Sequence, residues 1–432
     1  MKILIVSHNV FSHATNMGKT LASYFFNQND LEISQLYFHS EIPTTTLCSN
    51  YYRITDPEVA RSIFTRKSGK IFTKNDIVEA STSPRTDTGT IGKIYQSARK
   101  RTPLVYLIRN TWWNLGKWKT KELYGWLDKM APDAVFFASG DYSFAYKVAL
   151  HIAKKRNIPL FVSCMDDYYF WNKNGGSLLG RIVHKAFMKQ VRKTMSYASG
   201  IFTICEKMTA DYSALFAKPC YTIHTSSSIS EKLVEEKSNA ISYIGNLGYS
   251  RHEQLINLGK ALKSINHCNN PGYIDVYSTE SRDEILKTLT KENGIRFHGA
   301  ISVNEVLRVI GQSQAVIHTE SFDKSIRKSV AYSVSTKIAD SLASGTCIIA
   351  YGPEEVASIK YLSENNAAFC IGENDCIEEK LYAFFESSSI KESIVENALS
   401  LAKKNHNPAE RSEKFKNILL KANCPYNENS AN

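Results

Sequence analysis

The sequence predicts an α/β protein with two doubly wound domains that face each other across a cleft. Its 432 residues exceed the size of one ordinary domain, and 43% hydrophobic with 22% charged residues is a globular composition. This composition excludes a disordered or fibrous chain. Apolar runs also alternate with helical segments, and the alternation starts afresh in the second half. Such alternation is typical of parallel sheets that helices cover on both faces.

The first half contains four apolar runs that predict buried strands. They are Lys2–Ser7, Ala134–Ala138, Pro159–Cys164 and Ile201–Cys205. Helical segments are predicted after the first two runs, at about residues 21–26 and 142–155. Continuous apolar runs of this length indicate strands that are buried on both faces of a parallel sheet.

A polar stretch at Thr225–Asn239 separates the two halves, and six further strands are predicted after it. They lie at residues 240–245, 273–277, 295–297, 315–318, 346–351 and 368–371. We therefore predict an N-terminal domain over 1–225, a linker over 226–239 and a C-terminal domain over 240–405. The Asn407-Pro408 pair predicts the start of a final helix over 406–422, which we expect to pack back on the first domain. Residues 423–432 are expected to be a frayed tail.

The nine cysteines form no C-x-x-C pair, and they are irregularly spaced and odd in number. This pattern argues against a disulfide framework and a structural zinc site, and it favours a reducing compartment. The N-terminal apolar run is too short for a signal peptide, and no stretch approaches the ~20 apolar residues of a membrane-spanning helix. We therefore expect a cytoplasmic protein that is soluble or peripheral on the cytoplasmic face of the membrane.

The net charge of +11 is concentrated in the first half of the chain. Residues 1–200 carry 28 Lys and Arg against 14 Asp and Glu, whereas residues 201–432 carry 25 against 28. The two halves should therefore meet different partners, and anions are expected at the first.

The connection after the first strand lacks the common nucleotide-binding motifs. It contains neither G-x-G-x-x-G nor G-x-x-x-x-G-K-[ST], so a dinucleotide-dependent enzyme and a P-loop NTPase are disfavoured. Gly18 is predicted to lie in this connection, where a glycine would let a diphosphate or an acceptor approach the backbone. Doubly wound domains bind ligands beyond the carboxyl ends of their strands, so the cleft is the expected site.

The most informative segment runs from the strand at 315–318 to Gly345. Ser335 or Thr336 opens a helix there as its N-cap. The free N–H groups and the positive dipole end of this helix predict an anion site, and Lys337 adds a full positive charge that suits a diphosphate.

Two carboxylates flank this predicted anion site. Asp340 lies about one turn into the helix and could accept hydrogen bonds from vicinal hydroxyls. Glu320, at the end of the preceding strand, could do the same for a second polyol. An anion between two polyols describes a nucleotide sugar. The same spacing also fits an ordinary capped helix with a solvated Lys and Asp.

Together these residues resemble the nucleotide-sugar-binding domain of GT-B glycosyltransferases, which consist of two Rossmann-like domains, and are most similar to the retaining family 4 group. Gly245 and Asn246 match the glycine-containing turn after that domain's first strand. Arg251 falls where the family has a diphosphate-binding cation. Glu320 and Asp340 match the family's paired acids, of which the first holds the donor sugar and the second the ribose.

The resemblance covers residues 201–350 well and residues 1–26 and 130–167 loosely. Residues 323–334 are inserted between the two acids, and they could form a basic flap over the donor or a surface excursion. The second acid is Asp340 rather than a glutamate, and Asn246 stands where many relatives have a second cation. These departures concern the identity of the donor more than the reaction class.

Two acids follow a strand of the first half, where relatives often have a histidine–aspartate pair near the sugar. Asp166 or Asp167 is available as the base that an inverting enzyme would need, and one of them could equally cap the following helix. The pair does not form the D-x-D metal signature, and the resemblance implies that no metal is required.

Residues 93–126 combine basic and aromatic side chains. The segment holds Trp112, Trp113, Trp118 and Trp126 together with Lys93, Arg99, Lys100, Arg101, Arg109, Lys117, Lys119 and Lys121. Indoles and cations together suit an anionic membrane surface, such as one that presents a lipid-linked acceptor. Single-stranded nucleic acid would suit the same side chains. The tryptophans could instead be core residues beside solvated lysines.

The resemblance implies transfer of a sugar from a nucleotide diphosphate sugar to a hydroxyl of a glycan or lipid-linked glycan, with retention, in surface polysaccharide biosynthesis. The first domain would bind the acceptor and the second the donor, without metal or other cofactor. Arg251 and Lys337 are expected to face solvent in the empty cleft and to neutralise the departing diphosphate. The alternatives are a nucleotide-sugar epimerase or hydrolase, and a non-catalytic membrane-associated scaffold. An RNA-binding protein is disfavoured, because Glu320 and Asp340 would then have no purpose.

Overall fold

The structure is a computed structural model whose described residues form two compact units. The description covers residues 1–11, 16–25, 30–48, 50–73, 76–77, 102–170, 176–227, 229, 233 and 236–421. The first unit comprises Met1–Ile223 together with the chain from Ser412 onward, and the second comprises His224–Arg411. The predicted tail at 423–432 and part of the predicted linker at 226–239 lie outside the described residues.

The first unit contains an eight-stranded sheet with strand order β4-β3-β2-β1-β5-β6-β7-β8. Its strands are β1 (Lys2–Ser7), β2 (Glu32–Tyr37), β3 (Asn50–Arg53), β4 (Lys70–Thr73), β5 (Ala134–Ala138), β6 (Leu160–Ser163), β7 (Gly200–Thr203) and β8 (Cys220–Thr222). Neighbouring strands are parallel except β3 and β4. The chain moves outward from β1 to β4 and returns to β5 beside β1, so the strand order reverses between β1 and β5.

Helices connect the strands of the first unit. They are α1 (Asn16–Tyr24), α2 (Asp56–Thr65), α3 (Pro103–Leu115), α4 (Lys121–Met130), α5 (Ser143–Arg156), α6 (Leu178–Met195) and α7 (Glu206–Phe216). Threonine and serine side chains cap α3, α4 and α6. These caps satisfy N–H groups that the first helical turn leaves without an intrahelical partner.

The second unit contains a six-stranded parallel sheet with strand order β11-β10-β9-β12-β13-β14. Its strands are β9 (Ile241–Ile244), β10 (Ile274–Tyr277), β11 (Ile295–Gly299), β12 (Ala315–Thr319), β13 (Cys347–Tyr351) and β14 (Phe369–Ile371). Its helices are α8 (Arg251–Ser264), α9 (Asp283–Leu286), α10 (Val303–Gln312), α11 (Lys324–Val330), α12 (Thr336–Ala343), α13 (Ala357–Glu364), α14 (Ile377–Glu386) and α15 (Ser388–Asn405). Here the strand order reverses between β9 and β12.

The two sheets confirm the predicted class of two doubly wound α/β domains. The central strands are buried because packed helices cover both faces of each sheet. In β5, for example, Ala134, Val135, Phe136 and Phe137 are all 0% exposed. The continuous apolar runs of the sequence therefore predicted these central strands to within one or two residues.

Strand β2 was not predicted from the sequence, because its interior is polar. Ser34 and Gln35 are both buried. The Gln35 amide donates to the Ser7 hydroxyl at 2.8 Å and accepts from the Phe11 N–H at 3.1 Å. A buried amide with partners on both sides is tolerated inside a sheet, but it interrupts the apolar run that marks a strand.

A final helix, α16 (Pro408–Lys421), begins in the second unit, and from Ser412 onward it belongs to the first. The Asn407 side chain accepts a hydrogen bond from the Ala409 N–H at 2.9 Å and thereby caps the helix start. Phe415 is 0% exposed. Its ring centroid lies 5.3 Å from that of Phe25 and 5.1 Å from that of Phe202, within the core of the first sheet.

Three of the four tryptophans in the basic segment are core residues. Trp113, Trp118 and Trp126 are 1%, 2% and 5% exposed. The Trp113 ring stacks on Phe144 with centroids 4.1 Å apart, and its indole N–H donates to Asp56 at 2.7 Å. These indoles therefore do not lie at a membrane surface. The predicted cations Lys93, Arg99, Lys100 and Arg101 lie outside the described residues. Within the described part of the chain, no helix has the length and apolar character that a membrane crossing requires.

Candidate functional site

The residues predicted to bind a nucleotide sugar lie where the strand order of the second sheet reverses. Gly245 directly follows β9, and Glu320 directly follows β12, the neighbour of β9 in the sheet. Arg251 begins α8, and Lys337 lies in the first turn of α12. An open parallel sheet leaves a crevice at such a reversal, beyond the carboxyl ends of its strands.

Arg251 and Glu320 form a buried ion pair. The Arg251 Nη2 donates to both carboxylate oxygens, at 2.8 and 2.9 Å, and Nε donates to Oε2 at 3.2 Å. The two side chains are 15% and 1% exposed. Nη1 takes part in none of these bonds. The prediction that Arg251 faces solvent is wrong, because forked pairing with a carboxylate at the end of β12 holds the guanidinium inside the protein.

The electrostatics of the pair follow from its burial. Burial raises the pKa of the Glu320 carboxyl, and the Arg251 guanidinium opposes this by stabilising the charged form. Burial lowers the pKa of the adjacent His318 to about 3, and the charges of Arg251 and Lys337 add to this effect. His318 is therefore neutral at physiological pH, and its Nε2 lies 2.9 Å from the Ser358 hydroxyl. Two cations and one carboxylate leave this group of side chains with net positive charge.

Lys337 brings the second cation to the turn after β9. A Cβ atom at Gly245 would lie 3.1 Å from the Lys337 ammonium and 2.9 Å from the Tyr243 hydroxyl. Only glycine leaves room for both groups at this point. Although the Lys337 residue as a whole is exposed, burial of its amine and the nearby Arg251 lower its pKa. The ammonium thus lies against the turn while the rest of the residue remains accessible.

The turn between β9 and α8 is held by its own hydrogen bonds. The Tyr243 hydroxyl donates to the Asn246 carbonyl at 2.6 Å, and the Asn246 side chain accepts from the Gly248 N–H at 2.5 Å. Tyr249 and Ser250 then adopt positive φ angles of 58° and 54°. Ser250 makes no capping side-chain hydrogen bond. Asn246 therefore shapes the turn, and the first N–H groups of α8 have no side-chain cap.

The start of α12 carries the other predicted residues. Ser335, rather than Thr336, is the N-cap, and its hydroxyl accepts from the Lys337 N–H at 3.4 Å. Asp340 is half-buried, and its carboxylate accepts a hydrogen bond from the Ser227 hydroxyl at 2.9 Å. Ser227 is buried, and its N–H donates to the His406 carbonyl. Ser227 precedes β9 in the segment predicted as a linker, and no motif in the sequence marks it.

The insertion at 323–334 forms the short helix α11, which packs on the second unit. Val330 is 2% exposed in the core of that unit. Arg327 pairs with Glu355 at 2.9 Å and with Glu373 at 2.6 Å. The central cation of the insertion is thus neutralised by carboxylates of its own unit.

The residues predicted in the first unit have mainly local contacts. Asp166 follows β6 and is half-buried, and its carboxylate accepts from the Asp167 N–H at 2.9 Å. The buried Asp167 carboxylate accepts from the Tyr169 N–H and the Tyr212 hydroxyl, each at 3.0 Å, so it holds the loop after β6. The next described helix, α6, is capped by Ser177. The prediction that Gly18 lies in a loop is wrong, because α1 already begins at Asn16.

A polar cluster that was not predicted lies where the strand order of the first sheet reverses. His8 follows β1, Tyr142 follows β5, and His39 and Glu41 follow β2. The His8 ring centroid lies 4.5 Å from that of Tyr142 and 5.5 Å from that of His39. We name these four residues the histidine cluster. Strand β2 escaped prediction, so its carboxyl end could not be recognised as part of a site.

Within the histidine cluster, His39 and Glu41 face each other without a hydrogen bond. The His39 Nδ1 lies 3.6 Å from the Glu41 Oε2, which is beyond hydrogen-bonding distance, and the side chains are 16% and 10% exposed. Among the described residues, neither atom has a hydrogen-bond partner. A buried polar atom without a partner is costly, so a hydroxyl group placed here would be stabilised.

No family model matches the chain, and no curated protein sequence matches it. Solved structures do resemble it. HepE from Anabaena, in complex with UDP, has a TM-score of 0.59 at 11% identity over 98% of this chain and 100% of its own. A variant of TarM from S. aureus, with fondaparinux, alpha-GlcNAc-glycerol and UDP, has a TM-score of 0.58 at 11% identity over 96% and 99%. Sucrose-phosphate synthase from Thermosynechococcus elongatus has a TM-score of 0.56 at 10% identity over 97% and 98%.

These similar structures are GT-B glycosyltransferases, and at such low identity the likeness shows the fold. The chain therefore has the predicted GT-B fold. Membership of the retaining family 4 group stays a prediction.

Replacement of Arg251 tests the buried pair. Arg251→Ala leaves the Glu320 carboxylate buried without its cation, and such a loss typically costs about 3–5 kcal/mol of stability. We expect a lower urea midpoint for Arg251→Ala and partial recovery in Arg251→Met/Glu320→Gln, which removes both charges. Lys360→Ala is the control, because both side chains of the Lys360–Glu364 pair are exposed, at 49% and 63%. A wild-type midpoint for Arg251→Ala would contradict the structural role of the pair.

Proposed function

We propose that the protein is a glycosyltransferase that moves a sugar from a nucleotide diphosphate sugar to a hydroxyl of a glycan or lipid-linked glycan. The observation that carries this proposal is a pair of cations at the strand reversal: the Lys337 ammonium, from the capped start of α12, lies against Gly245, and Arg251 is paired with Glu320 at the end of β12. These groups lie beside the buried Glu320 carboxylate, at the strand reversal of the second unit in a GT-B fold. Cations and a helix N-terminus at such a point suit a diphosphate.

Stabilisation of the leaving diphosphate is the main catalytic contribution that we assign. Lys337 Nζ, Arg251 Nη1 and the N–H groups at the starts of α8 and α12 would neutralise its developing charge. Loss of one such contact typically lowers the rate by on the order of 10²-fold. Glu320 holds Arg251 in place, and its remaining lone pairs would accept from donor-sugar hydroxyls. Asp340, held by Ser227, would accept from the ribose.

We propose that the reaction retains the anomeric configuration, as the resemblance to family 4 implies. The acceptor oxygen forms a bond to the anomeric carbon on the face from which the diphosphate departs. The bond from that carbon to the diphosphate oxygen breaks, and the diphosphate takes up the acceptor proton. No protein nucleophile is assigned. Asp166 is the base that we would test first if the product proved to be inverted.

We propose that the first unit binds the acceptor at the histidine cluster. An acceptor hydroxyl that bridges His39 Nδ1 and Glu41 Oε2 from one side would satisfy both atoms at once. The positive charge of residues 1–200 further supports contact with an anionic membrane surface, on the cytoplasmic face, where a lipid-linked acceptor would lie. Surface polysaccharide biosynthesis is the process that such an acceptor implies.

A panel of nucleotide diphosphate sugars tests the donor site. We expect one member to raise the melting temperature of the wild-type protein, because a ligand that binds only the folded state stabilises it. Lys337→Ala should lose this increase and most of the turnover, while its melting temperature without ligand stays unchanged. Lys360→Ala removes an exposed lysine of the same unit and serves as control. If no member stabilises the wild type, the donor assignment fails, whereas donor turnover without any acceptor would indicate a hydrolase or epimerase.

Substitutions in the histidine cluster test the acceptor site. His39→Asn and Glu41→Gln should raise the KM for the acceptor and leave the donor-induced rise in melting temperature intact, because the donor site lies in the other unit. Gln is isosteric with Glu, and Asn is smaller than His but keeps a polar group at the position of Nδ1, so the fold should be retained. An unchanged acceptor KM in both variants would place the acceptor elsewhere.

We propose that transfer needs no metal, since side chains and helix N-termini can supply the positive charge. Activity should therefore survive dialysis against EDTA. Loss of activity in EDTA, with recovery on adding Mn²⁺ or Mg²⁺, would falsify this part of the proposal.

A further inference from the structure

Helix α3 presents its apolar face to the outside of the first unit. Leu104, Leu107, Ile108 and Leu115 are 56%, 45%, 41% and 61% exposed. Their spacing of three, four and seven residues places them on one side of the helix. The buried Trp113 lies on the other side, towards the core. A helix that packs on a soluble protein normally has the opposite arrangement, with its aliphatic face inward.

Helix α6 packs against α3 and carries exposed aliphatic residues of its own. Leu178, Leu179 and Ile182, in its first turns, are 69%, 37% and 56% exposed. We name these three residues and the four of α3 the aliphatic face. Seven exposed aliphatic side chains on two adjoining helices exceed the scattered single residues that most soluble surfaces carry.

The charged side chains that α3 and α6 themselves carry are all positive. The sequence contains no Asp or Glu between Asp87 and Glu122, or between Asp167 and Glu206, so neither helix carries a carboxylate. Along α6, exposed cations follow the aliphatic residues: Arg181, Lys185, Lys189, Arg192 and Lys193. Lys117 and Lys119 are exposed after the end of α3. A surface that is aliphatic beside cations and lacks carboxylates is complementary to anionic headgroups above acyl chains.

The sequence suggested Arg109 as one of the membrane-facing cations. In the structure, Arg109 does not contribute to the exposed positive charge. It is 8% exposed, and its Nε lies 2.6 Å from the Asp56 carboxylate. This ion pair, together with Trp113, fixes the inner side of α3 to α2. The aliphatic residues are therefore held outward by the packing of the opposite side.

We propose that the aliphatic face is the surface by which the protein docks on an anionic bilayer. The aliphatic side chains enter the boundary between headgroups and acyl chains, and the cations of α6 bind the headgroups. This inference rests on the membrane contact in the proposed function. It assigns that contact to leucines and isoleucines of α3 and α6 and to the cations of α6, in place of the tryptophans of the basic segment.

Sedimentation of the full chain with vesicles tests the inference. The wild type should pellet with phosphatidylcholine vesicles that contain phosphatidylglycerol and not with pure phosphatidylcholine. Leu107→Gln/Ile108→Gln should lower the partition coefficient by more than roughly tenfold, because each buried aliphatic side chain contributes at least that factor. Lys185→Gln/Lys189→Gln/Lys193→Gln should weaken binding and remove most of its dependence on salt, since screening acts over about 10 Å at 0.1 M.

Ile390→Gln is the matched control, because Ile390 is as exposed as Ile108, at 41%, but lies in the second unit. It should bind vesicles like the wild type. All variants should keep the wild-type melting temperature and the wild-type response to the nucleotide-sugar panel. That panel reports on the donor site, so a failure of the docking surface is distinguishable from a failure of the proposed transferase activity.

Three outcomes would overturn the inference. If the wild type ignores anionic vesicles, both the membrane contact and this surface fail. If Leu107→Gln/Ile108→Gln binds vesicles like the wild type, only the assignment of the surface fails. If the wild type is a dimer that the same variant converts to a monomer without any vesicle binding, the aliphatic face is an interface between two copies of this chain.

Discussion

The buried pair of Arg251 and Glu320 is the interaction on which the candidate donor site depends. A carboxylate that is 1% exposed can stay charged only with a cation and hydrogen bonds at hand. Arg251 supplies both, and it thereby ties the start of α8 to the end of β12 across the strand reversal. The neutral state of His318 has the same origin, because burial and two nearby cations oppose its protonation. The pair therefore organises the site and also restrains the cation that would meet a diphosphate.

Strand reversals explain where the polar residues of both units lie. Each sheet is apolar in its middle, since helices cover both faces, and polar groups collect where loops leave the carboxyl ends of the strands. In the second unit this yields Arg251, Glu320 and Lys337, which bear charges suited to a diphosphate. In the first unit it yields His39 and Glu41, whose facing atoms suit a hydroxyl. The two reversals thus offer different chemistry on the same architecture.

In the first unit, the residue types of a segment did not predict which of its side chains are exposed. Three of the four tryptophans of the basic segment fill the core, where Trp113 binds Asp56 and stacks on Phe144. The aliphatic residues of α3, which resemble ordinary core residues in the sequence, lie outside. Burying large indoles removes more apolar surface from water than burying leucines does. The indoles therefore occupy the interior, and the aliphatic side of the same helix is left to face solvent or a partner.

The sequence by itself determined the two α/β domains and singled out most of the residues that the structure brings to the candidate donor site. Uninterrupted apolar runs mark strands buried on both faces, and short motifs place Gly245, Arg251, Glu320 and Lys337 beside strand or helix ends. Both signals are local, so they can be recognised without knowing the fold. Where a polar residue is stabilised by distant partners, as Gln35 is in β2, the local signal disappears and the strand was missed.

Only the tertiary structure decided which side chains pair and which are exposed. Arg251 was expected in solvent but is bound to Glu320, 69 residues away in the chain. Asp340 is held by Ser227, 113 residues away. The histidine cluster joins three strand ends, and the aliphatic face joins two helices that are separate in sequence. Burial, ion pairing and surface complementarity depend on distances between elements, and these distances arise only when the sheets assemble.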